Sequence, residues 1–409
     1  MQFDKIVKMK PWQRKFLFSF FFFLFLIFGP TLILYSLGYR FDFEKKRLTK
    51  TGGIFVKAIP KEVEVLINGK IKKKTDPFFG SLLIENLLPK KHKIKVEKEG
   101  YFPWEKELEV KEGMVTEVKN LILFPKNLNF SQILAGVDQF WILPNQRELI
   151  LREGEEGKWA LKTYSLEKKL KAHLVSQEDF PGEAEFLELN FGEDPNQIEI
   201  KVKVKEKIRI FVLDFRKSPP QLKEKEEEKI PENAICFKKR GRNLYFLDKS
   251  GYIFEGEERL NEEPFPSVKD CKLEIFDGLV FLESQGDLYF LKEGRFEKIF
   301  ENLKGIEISP DLKKIAIFSD YEIWIFESGK IEFLNRFSEK IEKLYWFNEN
   351  YLIFISQAKI KISEIDKRDK VNIYELAEFS GENFFFNSSN KKIYFKKDGL
   401  IFESDPLLR

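Results

Sequence analysis

The stretch from Phe16 to Tyr39 constrains this chain more than any other part of it. It runs for 24 residues without one charged side chain, and sixteen of those residues are Phe, Leu or Ile. As a helix it reaches about 36 Å, enough to cross a hydrocarbon core of about 30 Å. Each such apolar residue contributes roughly −0.3 to −0.6 kcal/mol near the bilayer centre, so insertion is favourable by several kcal/mol. A core helix of a water-soluble protein would keep a charged face, which is missing here. A transmembrane helix over residues 16–39 is therefore expected, with the lipid bilayer as its partner.

A cleaved secretory signal has a shorter apolar region, about 7 to 15 residues, closed by a small-x-small site. Here the longer run leaves through Tyr35-Ser36-Leu37-Gly38-Tyr39-Arg40, which predicts an uncleaved signal-anchor. Gly29-Pro30 lies inside the span, where Pro removes a backbone donor and is expected to kink the helix. The tail, residues 1–15, carries Lys5, Lys8, Lys10, Arg14 and Lys15 against Asp4. The charged connector, residues 40–50, carries Arg40, Lys45, Lys46, Arg47 and Lys50 against Asp42 and Glu44. Lys and Arg tie across the span, so the positive-inside rule barely discriminates. Translocating a short tail with five basic residues is disfavoured, which puts the tail in the cytoplasm and the C-terminal bulk outside, in the cell envelope.

Beyond the anchor there is room for two or more domains. Charged residues make up 33% of the chain, mixed in sign, and the net charge is only +3, which points away from a nucleic-acid partner. The two cysteines, Cys236 and Cys271, do not make a disulfide scaffold, and neither lies in a metal-binding pattern. Their spacing of 35 residues matches a repeat described below, placing them on equivalent strands of neighbouring units. Buried free thiols are the expected state, with a disulfide as the alternative.

Residues 51–125 alternate with the period of two that marks half-buried strands. Val63, Val65 and Ile67 alternate with Glu62, Glu64 and Leu66 before the hairpin turn Asn68-Gly69, and His92, Ile94 and Val96 alternate with charged residues before Gly100-Tyr101. Together with Gly53-Ile54-Phe55-Val56, Pro60, Pro77, Leu87-x-Pro89 and Gly113…Val118…Leu121, this pattern resembles the PEGA domain over its whole length. The family's Pro-Glu-Gly-Ala reads Pro60-Lys61-Glu62-Val63 here. The resemblance implies a small β-sandwich used at cell surfaces as a structural or adhesive module. Tyr101 and Trp104 are the candidate aromatic binding face; the competing reading is a packed hydrophobic corner.

Residues 127–409 repeat an aromatic-centred strand followed by a glycine turn. Tyr245, Tyr289, Trp324 and Tyr394 stand 44, 35 and 70 residues apart, and Leu352-Ile353-Phe354-Ile355 is a degenerate copy in the last gap. Looser copies cover Gln139 to Leu166, with Trp141 and Trp159, and Phe186 to Phe215. Four short strands per unit of 35 to 44 residues describe a β-propeller of about seven blades, and the alternative is a β-sandwich array. Ser309-Pro310-Asp311-Leu312-Lys313 resembles the Ser-Pro-Asp-Gly-Lys repeat of Tol-associated periplasmic propellers and their WD-type relatives, with Leu312 at the family glycine. Lys223 to Lys229 reads as a solvated linker or inter-blade loop. The fold class is thus all-β behind one membrane helix.

Chemistry is harder to find. The two histidines, His92 and His173, pair with no nucleophile at triad-like spacing, and no phosphate-cradling, zinc-protease or EF-hand motif occurs. Asp311, Asp320 and Asp366 read as turn caps rather than acid–base groups. No catalytic residue, cofactor or metal is assigned. The expected function is a non-enzymatic, membrane-anchored envelope protein whose propeller binds a protein, peptide or glycan. The alternative is an envelope hydrolase or lyase, which three convergent buried carboxylates without basic partners in the propeller channel would favour.

Overall fold

In the computed structural model, the described residues are 10–155, 158–192, 194, 196–215, 217, 219–225, 230–266 and 270–408. Residues 1–9, with Lys5 and Lys8 of the basic tail, and residues 226–229 of the Lys223–Lys229 run lie outside them. The chain divides into two units, residues 1–123 with 368–370, and residues 124–367 with 371–409.

The first unit opens with a helix over Pro11–Ser36, none of whose side chains is buried. It starts inside the basic tail and ends before Tyr39, so the helix is offset from the predicted span. Pro30 stays within one continuous helix; the Thr31 hydroxyl donates to the carbonyl of Ile27 at 2.8 Å. The connector is not irregular chain but a hairpin, Tyr39–Asp42 paired with Arg47–Lys50. It forms because the Asp42 carboxylate accepts the backbone N–H groups of Glu44 and Lys45 and so closes the turn.

The sandwich follows. One sheet orders the strands Ser81–Leu87, Gly52–Ile59 and Val115–Ile122, the last two parallel; the other orders Lys70–Lys74, Glu64–Ile67, Lys91–Glu97 and Trp104–Glu109. Alternate residues of both sheets meet in one core, including Ile54, Val56, Val65, Ile67, Ile84, Ile94, Val96 and Trp104. The Asn68-Gly69 turn is formed as expected, with both residues at positive φ. His92 is buried beside it: its Nδ1 accepts from the Asn68 amide at 3.0 Å, leaving Nε2 to donate to the Leu88 carbonyl at 2.8 Å. Glu62, at the family's glycine, takes the left-handed conformation with φ of 57°. The unit ends at Leu123 rather than at residue 125. Phe124 is fully buried in the second unit, where its ring meets those of Phe347 and Tyr351.

Among the described residues, the second unit forms seven four-stranded antiparallel sheets. Their innermost strands begin at Gln139, Ala184, Ala234, Cys271, Gly305, Ile341 and Glu382. Six blades are contiguous in sequence. The seventh takes Glu382–Asn387, Lys392–Lys397 and Leu400–Ser404 from the end of the chain and its outermost strand, Phe130–Ala135, from the beginning. That shared sheet closes the ring and leaves no loose terminal blade. Apolar clusters join neighbouring blades face to face, so middle strands are covered on both sides; all six residues of Tyr351–Ser356 are buried.

Two expectations change. The aromatic repeat mixes strand positions: Tyr245 and Tyr394 lie in second strands, Tyr289 and Trp324 in third strands. Both middle strands are sandwiched between blades, so both read as the same aromatic-apolar run. The cysteines are not free thiols. Cys236 and Cys271, on the innermost strands of the third and fourth blades, form a disulfide with Cα atoms 5.8 Å apart.

Candidate functional site

The innermost strands form the inner wall of the propeller ring, and the pleat turns their alternate side chains to opposite faces of each blade. In blades three to six these strands carry Lys238, Lys272, Glu274, Glu307, Lys343 and Tyr345. Glu274 lies 3.1 Å from Lys238 and 2.9 Å from Lys272. Burial alone would raise its pKa, but the two ammonium groups outweigh that and hold it below the usual carboxylate range.

Glu307 is in the opposite condition. Burial pushes its pKa up to about 7, with Lys343 pulling the other way. Tyr345, beside it, is raised by burial and by the Glu307 charge, and its hydroxyl donates to the Phe384 carbonyl at 3.1 Å. The Trp346 indole donates to the Glu307 backbone carbonyl at 2.9 Å and fixes the strand that bears the carboxyl. The wall therefore offers one carboxylate held ionised by two lysines and one carboxyl that exchanges a proton near neutral pH. Each carboxylate has a basic neighbour, and among the described residues no group of three or more His, Cys, Asp or Glu is placed to hold a metal ion.

Two clefts open between blades, at the ends where second and third strands connect. One, of about 860 Å³, is lined by Asp138, Arg152, Trp159, Gln177, Phe186 and Lys203. Its Arg152 guanidinium lies 5.1 Å above the Phe186 ring. The other, of about 950 Å³, is lined by Lys304, Asp320, Tyr321, Trp324 and Arg336. Aromatic surface with charges of both signs suits a peptide or a glycan better than a highly charged polymer.

The candidate aromatic face of the first unit does not form. Trp104 is 1% exposed, inside the sandwich core, and Tyr101 is half-buried and packs against that core. The reason is the pleat: Trp104 shares the inward face with Lys106 and Leu108, all three buried. His173 is exposed on the outer strand of the first blade. Asp311 caps its turn, accepting from the Ser309 hydroxyl at 2.6 Å and the Lys313 N–H at 3.3 Å. Asp320 instead pairs with Lys304 at 2.7 Å and Lys340 at 2.9 Å. The wall residues were missed because nothing in sequence marks an innermost strand; the Ile-Glu-Ile of Gly305–Ile308 reads like any other half-buried strand.

Residues 51–122 match the PEGA domain family. No curated protein matches the chain. Among solved structures it is similar to a chain of the crystal structure of the mitotic checkpoint complex, at 9% identity and TM-score 0.44, over 69% of this chain and 94% of that one. It is also similar to YCF48 from Cyanidioschyzon merolae, at 12% identity and TM-score 0.40, over 68% and 98%. A third is the Cps50 (Swd1) beta-propeller domain of Myceliophteria thermophila, at 9% identity and TM-score 0.43, over 68% and 99%. The family match and the seven four-stranded antiparallel sheets by themselves give a chain in which a PEGA domain, residues 51–122, is followed by a β-propeller.

Proposed function

We propose that this is a single-pass, membrane-anchored envelope protein that holds a non-catalytic propeller outside the membrane to bind a protein, peptide or glycan. The observation that carries the proposal is the Cys236–Cys271 disulfide, because such bonds persist in oxidising compartments and are rare in the cytosol. It supports a C-terminal bulk on the far side of the membrane from the basic tail. The helix over Pro11–Ser36 supports the anchor: its mean hydropathy reaches 2.4 and no residue of it is buried. The PEGA domain and the propeller clefts support a scaffold and binding role. Kinship with the Tol-associated propellers belongs to the same proposal and rests on the Ser309-Pro310-Asp311 turn.

The test is thiol trapping. Cells producing the full chain are quenched with an alkylating reagent, and the protein is run with and without reductant. An oxidised pair is the expected result; two alkylated thiols in the membrane-bound chain would overturn the external placement. The second reading, an envelope hydrolase or lyase, is favoured by one observation, the Glu307 carboxyl that titrates near neutrality.

A further inference from the structure

We infer that the hairpin directly after the helix, Tyr39–Lys50, lies in the membrane interface with its outer face against lipid. This rests on the anchor reading above. Antiparallel partners project from the same side of a ribbon, so the register sorts the hairpin into two faces. Phe41–Leu48 and, at the helix end, Tyr39–Lys50 share one face, while Arg40–Thr49 and Asp42–Arg47 define the other. The burial is inverted relative to a hairpin built for water. Asp42 and Thr49 are 3% and 2% exposed, whereas Phe41 and Leu48 are 46% and 54% exposed. Phe43 is 82% exposed and stacks edge-on against Phe41, 5.0 Å between ring centres, which extends the apolar face to the turn.

Continuity with the membrane span says what covers this face. Residues 16–36 of the helix reach about 31 Å, so Ser36 stands at the edge of the hydrocarbon core. Phe41 follows five residues later, within about 17 Å of chain. The joint is braced. The Arg40 guanidinium sits 3.4 Å above the Tyr35 ring, donates to the Tyr35 carbonyl at 2.8 Å, and donates to Asn86 of the sandwich at 2.7 Å. Thr51 also donates to the Gly38 carbonyl through its hydroxyl at 2.7 Å. An aromatic face next to Lys45, Lys46 and Arg47 is the composition that settles at headgroup level, rings toward the acyl boundary and cations toward phosphate.

The same unit supplies a control. Phe78 and Phe79 are 78% and 74% exposed, so they are as apolar and as available as Phe43. They precede Ser81, which pairs with Lys57, whereas Gly52, at the helix end of that strand, pairs with Leu87. They therefore lie at the end of the sandwich remote from the helix.

The experiment places the photo-cross-linking residue benzoylphenylalanine at 22, 43 or 78, one at a time, in the full chain reconstituted into vesicles of phosphatidylethanolamine and phosphatidylglycerol. Lipid adducts at 22 and 43 and none at 78 are expected. Adducts at 22 but not at 43 overturn the interfacial hairpin and leave the anchor standing. Loss of the adduct at 22 overturns the anchor and the inference with it. Equal adducts at 43 and 78 also overturn it, because exposure alone would then explain the labelling.

Discussion

Replacing Leu312 by glycine and, separately, by alanine isolates one physical effect. Leu312 sits in the turn between Gly305–Ile308 and Lys314–Phe318 with φ of 58°, in the left-handed region. Its N–H donates to the Ser309 carbonyl at 2.9 Å, so the turn holds it there. A residue with a Cβ loses roughly 1–2 kcal/mol in that conformation, whereas glycine gives up about 0.5–1 kcal/mol of extra backbone entropy on folding. The leucine is 62% exposed, so its buried remainder contributes about a third of a full side-chain burial, about 0.5–1 kcal/mol. Both substitutions lose that contribution equally, and their difference reports the backbone alone. Leu312→Gly should exceed Leu312→Ala in stability by about 0.5–1 kcal/mol, which is about 1–4 °C in Tm for a domain of this size. At Lys330, exposed in the outer strand of the same blade, the order should reverse, with alanine above glycine. The assay is urea unfolding of the full chain in detergent micelles, followed by tryptophan fluorescence. Alanine equal to or above glycine at 312 would refute the strain argument.

Three further outcomes are expected. Replacing Cys236 and Cys271 together by serine opens a loop closed over 35 residues, and chain entropy puts the loss at up to about 4 kcal/mol; a urea midpoint unmoved by both the substitution and a reductant would contradict this. Gly251→Ala should destabilise the propeller by more than about 2 kcal/mol, since φ is +86° and a Cβ would stand 2.1 Å from the Phe265 carbonyl oxygen; a near-normal melting curve would show that the loop relaxes freely. Glu307 has a folded pKa of about 7, above its unfolded value, so between those two values the native state holds a proton that the unfolded state has lost. Stability should fall as pH rises through that window, by about 3 kcal/mol at most, and Glu307→Gln should flatten the slope; an identical slope in the variant would assign it elsewhere.

The fold was legible where a single physical requirement dominates. A long apolar helix needs an unbroken run of apolar residues, and the hairpin at Asn68-Gly69 needs two residues tolerant of positive φ; both requirements are written in residue type. Blade phase was not legible, because second and third strands share the same two-sided burial and the same composition. Turns were hidden for another reason. Glu62, Gln146 and Leu312 take left-handed conformations that usually draw glycine, at φ of 57°, 56° and 58°. The first blade therefore repeats the Ser309 turn under different letters. Gln146 donates to the Leu143 carbonyl at 2.8 Å as Leu312 does to Ser309, and Arg147 donates to the Asn145 side chain at 2.9 Å as Lys313 does to Asp311.

The same reasoning explains why the candidate site was only partly visible. Residue type left Trp104 open between an aromatic binding face and a packed hydrophobic corner, because it says nothing of which way a strand faces until the register is known; the packed corner is what forms. Glu274 and Glu307 looked like two carboxylates among many, and they separate only once blades three to six bring lysines to one and burial to the other. The hairpin Tyr39–Lys50 runs the other way: its charges marked it as a connector, yet those charges brace the sandwich, with Lys90 2.6 Å from Glu44 and Arg47 3.1 Å from Glu112. Beside its exposed charges it also leaves Phe41, Phe43 and Leu48 exposed. Apolar residues turned outward, with Asp42 and Thr49 turned inward, invert the pattern of a hairpin built for water, and the membrane-interface placement proposed above would account for that inversion.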